Sequence, residues 1–171
     1  MKKLLSVFLS MLLVLSLCVP AFAAEGSDEL KVTVANDLHY NLKYSFADSV
    51  KKHNSISEDY AHISSTGKLL YETAAIIEAF LEKAKANDSD VVLLPGDLVE
   101  LGTVEEHTVF AAVLNEFEQT SGKQIYVIPG NHDFFKTTPA QFVALYNNFG
   151  YSEALAMDTA SYSYTVDLKD G

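Results

Sequence analysis

Val91-Val92-Leu93-Leu94-Pro95-Gly96-Asp97-Leu98-Val99-Glu100 is the stretch whose reading decides the fold. Four consecutive apolar residues, two of them β-branched, suit a strand buried on both faces. Pro95-Gly96 stops the strand, and a carboxylate follows at once. Two other stretches repeat the arrangement. Leu30-Lys31-Val32-Thr33-Val34-Ala35 leads into Asp37-Leu38-His39, and Ile125-Tyr126-Val127-Ile128 leads into Gly130-Asn131-His132-Asp133. Three apolar runs therefore each end in a short polar motif.

Between the runs the apolar spacing is helical. Leu70, Ala74, Ile77, Phe80, Leu81 and Ala84 recur at three and four, which predicts a helix over 68–85. Phe110, Val113, Leu114 and Phe117 predict a second over 104–120, closed by Ser121-Gly122. A third is signalled by Thr138 as N-cap, Pro139 in the first turn and Gly150 past the end, with Phe142, Leu145, Tyr146 and Phe149 on its apolar face. Strand, helix, strand, helix, strand is an α/β pattern. It implies parallel strands joined by right-handed crossovers. Ligands of such sheets bind beyond the carboxyl ends of the strands, where all three motifs lie.

The flanks are less regular. Residues 41–66 are polar and weakly periodic, and predict a long loop with one short helix around 46–52. Such a loop either walls a cleft or is a solvated insertion. Residues 161–168 alternate Tyr, Tyr, Val and Leu with polar residues, as a half-buried strand does. Asp170-Gly171 is a hairpin-turn signal with no strand after it, so the domain is expected to be incomplete at its C-terminal end.

The first 23 residues read as a secretory signal peptide. Lys2-Lys3 is a basic start, residues 4–19 are mostly apolar, and Ala21-Phe22-Ala23 is a small-residue cleavage pattern. The apolar core is shorter than the roughly 18–20 residues a spanning helix needs. Leu17 before Cys18 argues against a lipid anchor there. The expected domain is thus 24–171, exported, touching the membrane only through the transient leader. It contains no cysteine and no disulfide, since Cys18 is the single one. Loss of Lys2 and Lys3 takes the formal charge from −11 to about −13, and the chain has no arginine. That balance excludes a general nucleic-acid surface, because duplex affinity rests on Lys and Arg neutralising phosphates. Anionic lipid would also repel it.

The motifs carry residue types suited to divalent ions. Asp37 and His39, two apart on extended backbone, share a face and can reach one ion. Asp97 offers two acceptor oxygens on a short stem. Asn131 offers a neutral amide oxygen. His132, adjacent to it, projects differently and is free to protonate a leaving oxygen or to hold a phosphoryl oxygen. Each motif alone also fits a bland reading: a surface Asp/His pair, a turn-capping Asp, a loop Asn beside a satisfied His. His53, His62 and His107 lie outside the motifs and fit solvated or locally hydrogen-bonded roles.

In order, the three motifs resemble the D-x-H, G-D-x-x and G-N-H-D/E pattern of the calcineurin-like metallophosphoesterases, over roughly residues 30–171. The resemblance implies an α-β-β-α sandwich, of which this chain would supply the N-terminal portion. It implies two divalent ions, of Mn, Fe or Zn, hydrolysing a small phosphomonoester or phosphodiester. Asp37, His39 and Asp97 would hold one ion, and Asp97 and Asn131 the other. His132 would be the catalytic histidine, and Glu100 the acidic residue that orients it, though a solvated acid fits Glu100 equally. Further His ligands would come from motifs beyond residue 171, so the chain alone is expected to be inactive. Glu100-Leu101-Gly102 departs from the Asp-Arg-Gly of protein Ser/Thr phosphatases and from the Tyr ligand of purple acid phosphatases. The pattern is similar instead to exported bacterial metallophosphoesterases. The competing possibility is a non-catalytic exported remnant that binds metal weakly or a protein partner. Substrate and oligomeric state stay open.

Overall fold

The computed structural model describes residues 29–42, 68 and 70–168. The leader, the short helix expected around 46–52, His53, His62 and the Asp170-Gly171 turn lie outside the described residues. Among the described residues no helix is long and apolar enough to cross a membrane.

The three apolar runs form one parallel sheet, ordered β1 (Val32–Val34), β2 (Val91–Pro95), β3 (Gln124–Ile128). Registers Val32↔Val91 and Val91↔Gln124 align the strands so that their carboxyl ends finish together. β1 is shorter than the expected 30–35, and among the described residues it pairs with β2 alone. Its hydrogen bonding still reaches further, since Ala35 N donates to Leu93 O at 3.0 Å and Asp90 N to Lys31 O at 2.8 Å.

Two helices cross between the strands. α1 (Thr73–Ala86) begins later than residue 68, after a 3-10 turn at Leu70–Glu72. α2 (Val104–Ser121) starts at Thr103, whose hydroxyl accepts from Glu106 N, and ends at Gly122 with φ 71°. Strand order follows chain order, so right-handed crossovers put both helices on one sheet face. Val92, Leu94, Ile125 and Val127 point to that face and are buried against Ile77, Leu81, Phe110 and Leu114. Burying a side chain of this size contributes roughly 1.5–3 kcal/mol.

The opposite face is less covered. Val34 is 56% exposed, and Val32 and Ile128 are exposed on the same face. The expected sandwich has a second sheet; among the described residues only a two-stranded antiparallel hairpin is present, β4 (Ala156–Met157) with β5 (Tyr164–Thr165). This corrects the 161–168 strand. It contracts to two residues and pairs backward in the chain. Tyr162 has φ 57°, which interrupts extended backbone. Tyr164 hydroxyl bonds, 2.9 Å to Val127 O and 3.2 Å to Phe149 O, dock the hairpin on the sheet.

The third helix is also shorter. α3 (Pro139–Leu145) has the expected Thr138 cap, closed into a capping box with Gln141. It ends at Tyr146, φ −104° and ψ 20°, well before Gly150. Phe142, Tyr146 and Phe149 are nevertheless all buried, because the turn after the helix returns Phe149 to the core.

His107 is fully buried. Its Nδ1 lies 3.0 Å from Tyr146 Oη, and its Nε2 is 3.0 Å from Asp133 O, to which it donates. Burial holds this imidazole below its ordinary value of 6.5. A depressed histidine keeps full stability above the unfolded value and loses it as pH falls from there toward the folded value, because only the unfolded chain then gains the proton. Asp133, pushed by burial up to about 6, titrates nearby with the opposite sign and gains stability on acidification. Urea midpoints between pH 8 and 5 should therefore fall more steeply for the native chain than for His107→Gln. Parallel profiles would refute this role.

Candidate metal centre

The carboxyl ends of the strands are zipped into one surface by main-chain bonds that continue past the sheet. Asp37 N donates to Gly96 O at 3.2 Å, His39 N to Asp97 O at 2.9 Å, Tyr40 N to Leu98 O at 3.0 Å, and Glu100 N to Tyr40 O at 2.9 Å. The first and second motifs thus run side by side. The third is tied to the second by Asp133. Its carboxylate accepts from Leu98 N at 3.0 Å, Val99 N at 3.2 Å and Gly130 N at 2.7 Å. Asp97 Oδ1 accepts from His132 N at 2.8 Å.

Gly130 opens the third motif on ordinary backbone. Its φ is not positive; its role is close approach. A Cβ there would stand 2.3 Å from Asp97 N and from Asp97 Oδ1. Gly130→Ala should cost about 1–3 kcal/mol, the usual range for overpacking. It should also push Asp97 away from His132. Chemical denaturation checks the first effect, and an unchanged midpoint would contradict it.

Asp37, His39 and Asp97 adopt left-handed backbone, with φ 55°, 47° and 47°. Tyr162 is the one other non-glycine residue with positive φ among the described residues. Left-handed residues cost of order 1–3 kcal/mol each and collect at functional sites. Asp and His bear the conformation better than most. The three side chains are turned into one cluster as a result.

His39 Nε2 stands 3.9 Å from Asp37 Oδ1 and 3.8 Å from Asp97 Oδ2. One ligand atom each of His39, Asp97 and His132 falls within 4.8 Å of the others. Two donors on one ion, with bonds of about 2.1 Å, stand roughly 3.0–4.2 Å apart. The His39–Asp37 and His39–Asp97 separations therefore fit a shared divalent ion, and the nitrogen and oxygen donors suit Zn, Mn or Fe. Asn131 is exposed and opens the 3-10 turn His132–Phe134, beside the cluster in sequence. Burial, followed by the Lys68 ammonium, holds the His39 imidazole below its ordinary value. A neutral ring is the form that binds metal.

Glu100 touches both histidines, in different ways. Its carboxylate Oε2 is 2.8 Å from His39 Nδ1 but 3.7 Å from His132 Nδ1. Its main-chain carbonyl lies 2.7 Å from His132 Nδ1. A carbonyl only accepts, so His132 carries a proton on Nδ1, leaving Nε2 for chemistry. The His39 and His132 rings meet edge to face, centroids 4.6 Å apart.

A calcineurin-like phosphoesterase family model matches residues 30–170. The chain belongs to that family. No curated protein matches it. The family's reaction is the hydrolysis of phosphoesters; in this calcineurin-like phosphoesterase His39, Asp97 and His132, one from each motif, are grouped as a metal ion would need. Sequence reading gave no role to Asp133 or Glu106. Asp133 staples two motifs. Glu106 is buried in the first turn of α2, where Oε2 accepts from Leu101 N at 2.9 Å. Glu106, three before Val109 and four before Phe110, sits at core spacing, and that was its signal.

A cleft of about 360 Å³ opens at the centre, lined by Asp37, His39, Lys68, Leu70, Ile76 and Phe80 among others. Another groove of about 380 Å³ lies between α1 and α2, bordered by Glu78, Glu82 and Glu116. It faces the far end of the helices, and its three carboxylates outnumber the one lysine, Lys85, so its net charge repels phosphate. The first cleft is therefore the substrate candidate.

Proposed function

We propose that the protein is an exported, dinuclear metal-dependent hydrolase of a small phosphoester. The observation that carries it is the convergence of Asp37, His39, Asp97 and His132 from three separate strand ends. Asp37, His39 and Asp97 would hold one divalent ion, and Asp97 and Asn131 the second. When bound, the pair polarises phosphoryl oxygens and makes water a nucleophile at neutral pH. The chain's own residues do the rest. Asp97 would belong to both ligand sets. Glu100 keeps the Nδ1 proton of His132 engaged through its carbonyl, which aims Nε2 into the cluster. A proton on Nε2 can then pass to the leaving oxygen. With no arginine in the chain, attraction of an anionic substrate rests on the metals and on lysine.

Export follows from the N-terminal pattern. N-terminal sequencing of the secreted product should begin at Ala24; a product retaining Met1, or lipid on Cys18, would overturn it. Activity is tested by metal titration with Mn²⁺, Zn²⁺ or Fe²⁺ against bis(nitrophenyl) phosphate and nitrophenyl phosphate. We expect metal-dependent release in the protein carrying the whole domain. Binding of metal with no turnover on either ester would favour the non-catalytic alternative.

A further inference from the structure

The centre holds one lysine that the motif pattern does not include. Lys68 was expected to open the first crossover helix. Instead that helix begins at Thr73, and Lys68 lies ahead of it, lining the same cleft as Asp37 and His39. Its Nζ is 3.1 Å from Glu100 Oε2 and 3.3 Å from His39 Nδ1. The same Glu100 oxygen is 2.8 Å from His39 Nδ1. An ionised carboxylate only accepts, so the proton between them sits on His39 Nδ1. The ammonium only donates, so its bond in this trio goes to Glu100. The Glu100 side chain is buried. Its negative charge is costly there without a cation.

We propose that Lys68 is a positioning residue: it pins the Glu100 carboxylate, which pins His39 with Nδ1 protonated and Nε2 presented to the ion held by Asp37 and Asp97. The inference rests on the metal-centre reading for its consequence. Its structural part, the state of the His39 ring, does not need metal. Carboxylate partners of this kind fix a ligand histidine's orientation, and their loss usually costs 10–100-fold in metal affinity. Lys68 acts one step further out, so the effect should fall at the low end. Lys68 lies outside the three motifs, in the connection between β1 and α1.

Lys68→Met and Lys68→Gln remove the charge at a side chain that is 27% exposed, so neither should disturb the core. Nitrogen-15 NMR of the metal-free protein reads the His39 tautomer. The native chain should show one form, Nδ1-protonated. Both neutral variants should show a mixture, and Zn²⁺ affinity by competition with a chromophoric chelator should drop about tenfold. Lys68→Arg should restore both within about threefold, because the charge and donor return. A purely structural role would lower the urea midpoint and leave the His39 signals as they were. Neutral variants with the native His39 signals and the native Zn²⁺ dissociation constant would overturn the proposal. If the native protein binds no Zn²⁺, the metal-centre reading fails, and the tautomer comparison still decides the role of Lys68.

Discussion

Asp97→Asn should strip the centre of at least one ion and lower phosphoester turnover by roughly 10³-fold or more, since Lewis-acid stabilisation supplies several kcal/mol. The substitution separates charge from scaffold. Asp97 Oδ1 accepts the His132 main-chain N–H at 2.8 Å, and an asparagine oxygen keeps that bond. What disappears is the negative charge 3.8 Å from His39 Nε2 and the second oxygen needed to serve two ions. Folding should therefore survive while metal content falls. Elemental analysis of the purified protein, beside circular dichroism, measures both. Two ions per chain in the variant would rule out Asp97 as the shared ligand. Asp37→Asn should be milder, because its carboxylate is more than half exposed and stands at one position only.

His132→Ala should leave metal content intact and lower turnover by about 10²–10⁴-fold, the range for a lost general acid–base group. The histidine Nδ1 bond to Glu100 O disappears, leaving a carbonyl without that donor, which costs about 1–3 kcal/mol. The loss of rate should depend on the leaving group. Nitrophenolate departs without a proton, whereas an alkoxide needs one, so alkyl phosphoesters should suffer far more. Equal losses on both would assign His132 to phosphoryl-oxygen stabilisation. Its nitrogen lies within 4.8 Å of the His39 and Asp97 donors, so a ligand role is geometrically open. Elemental analysis discriminates: a missing ion in His132→Ala would make the histidine a ligand.

The sheet and its two crossovers were legible because their signals are local and long. Four-residue apolar runs and three-to-four spacing over fourteen or more residues survive any tertiary context. The convergence of Asp37, His39, Asp97 and His132 was legible for a related reason. Each motif follows a strand, and parallel strands of similar length must finish together. Geometry at finer scale was not. Nothing in Glu100 distinguishes its carboxylate from its carbonyl, yet the structure gives one to His39 and the other to His132. Lys68 looked like a helix residue because Leu70, Ala74 and Ile77 continue its period, and the 3-10 turn at Leu70–Glu72 breaks the phase. The third helix was overextended since Tyr146 and Phe149 keep a helical spacing while being buried through a turn. β4 and β5 have two residues each, too few for alternation to register. His107 did have a signal: it lies three before Phe110 and seven before Leu114, on the buried face of α2.

The left-handed backbone at positions 37, 39 and 97 sets stability and activity against each other. Glycine at any of them would relieve roughly 1 kcal/mol of steric cost, partly offset by its greater freedom in the unfolded chain. Removing a carboxylate at 37 or 97 would also thin the negative charge of the cluster around His39. A library selected only for heat resistance of the metal-free protein should therefore enrich Gly or Asn at these three positions and erase the centre while improving the score. Selection in the presence of Mn²⁺ or Zn²⁺ should reverse the preference, because ligand binding then rewards the strained residues.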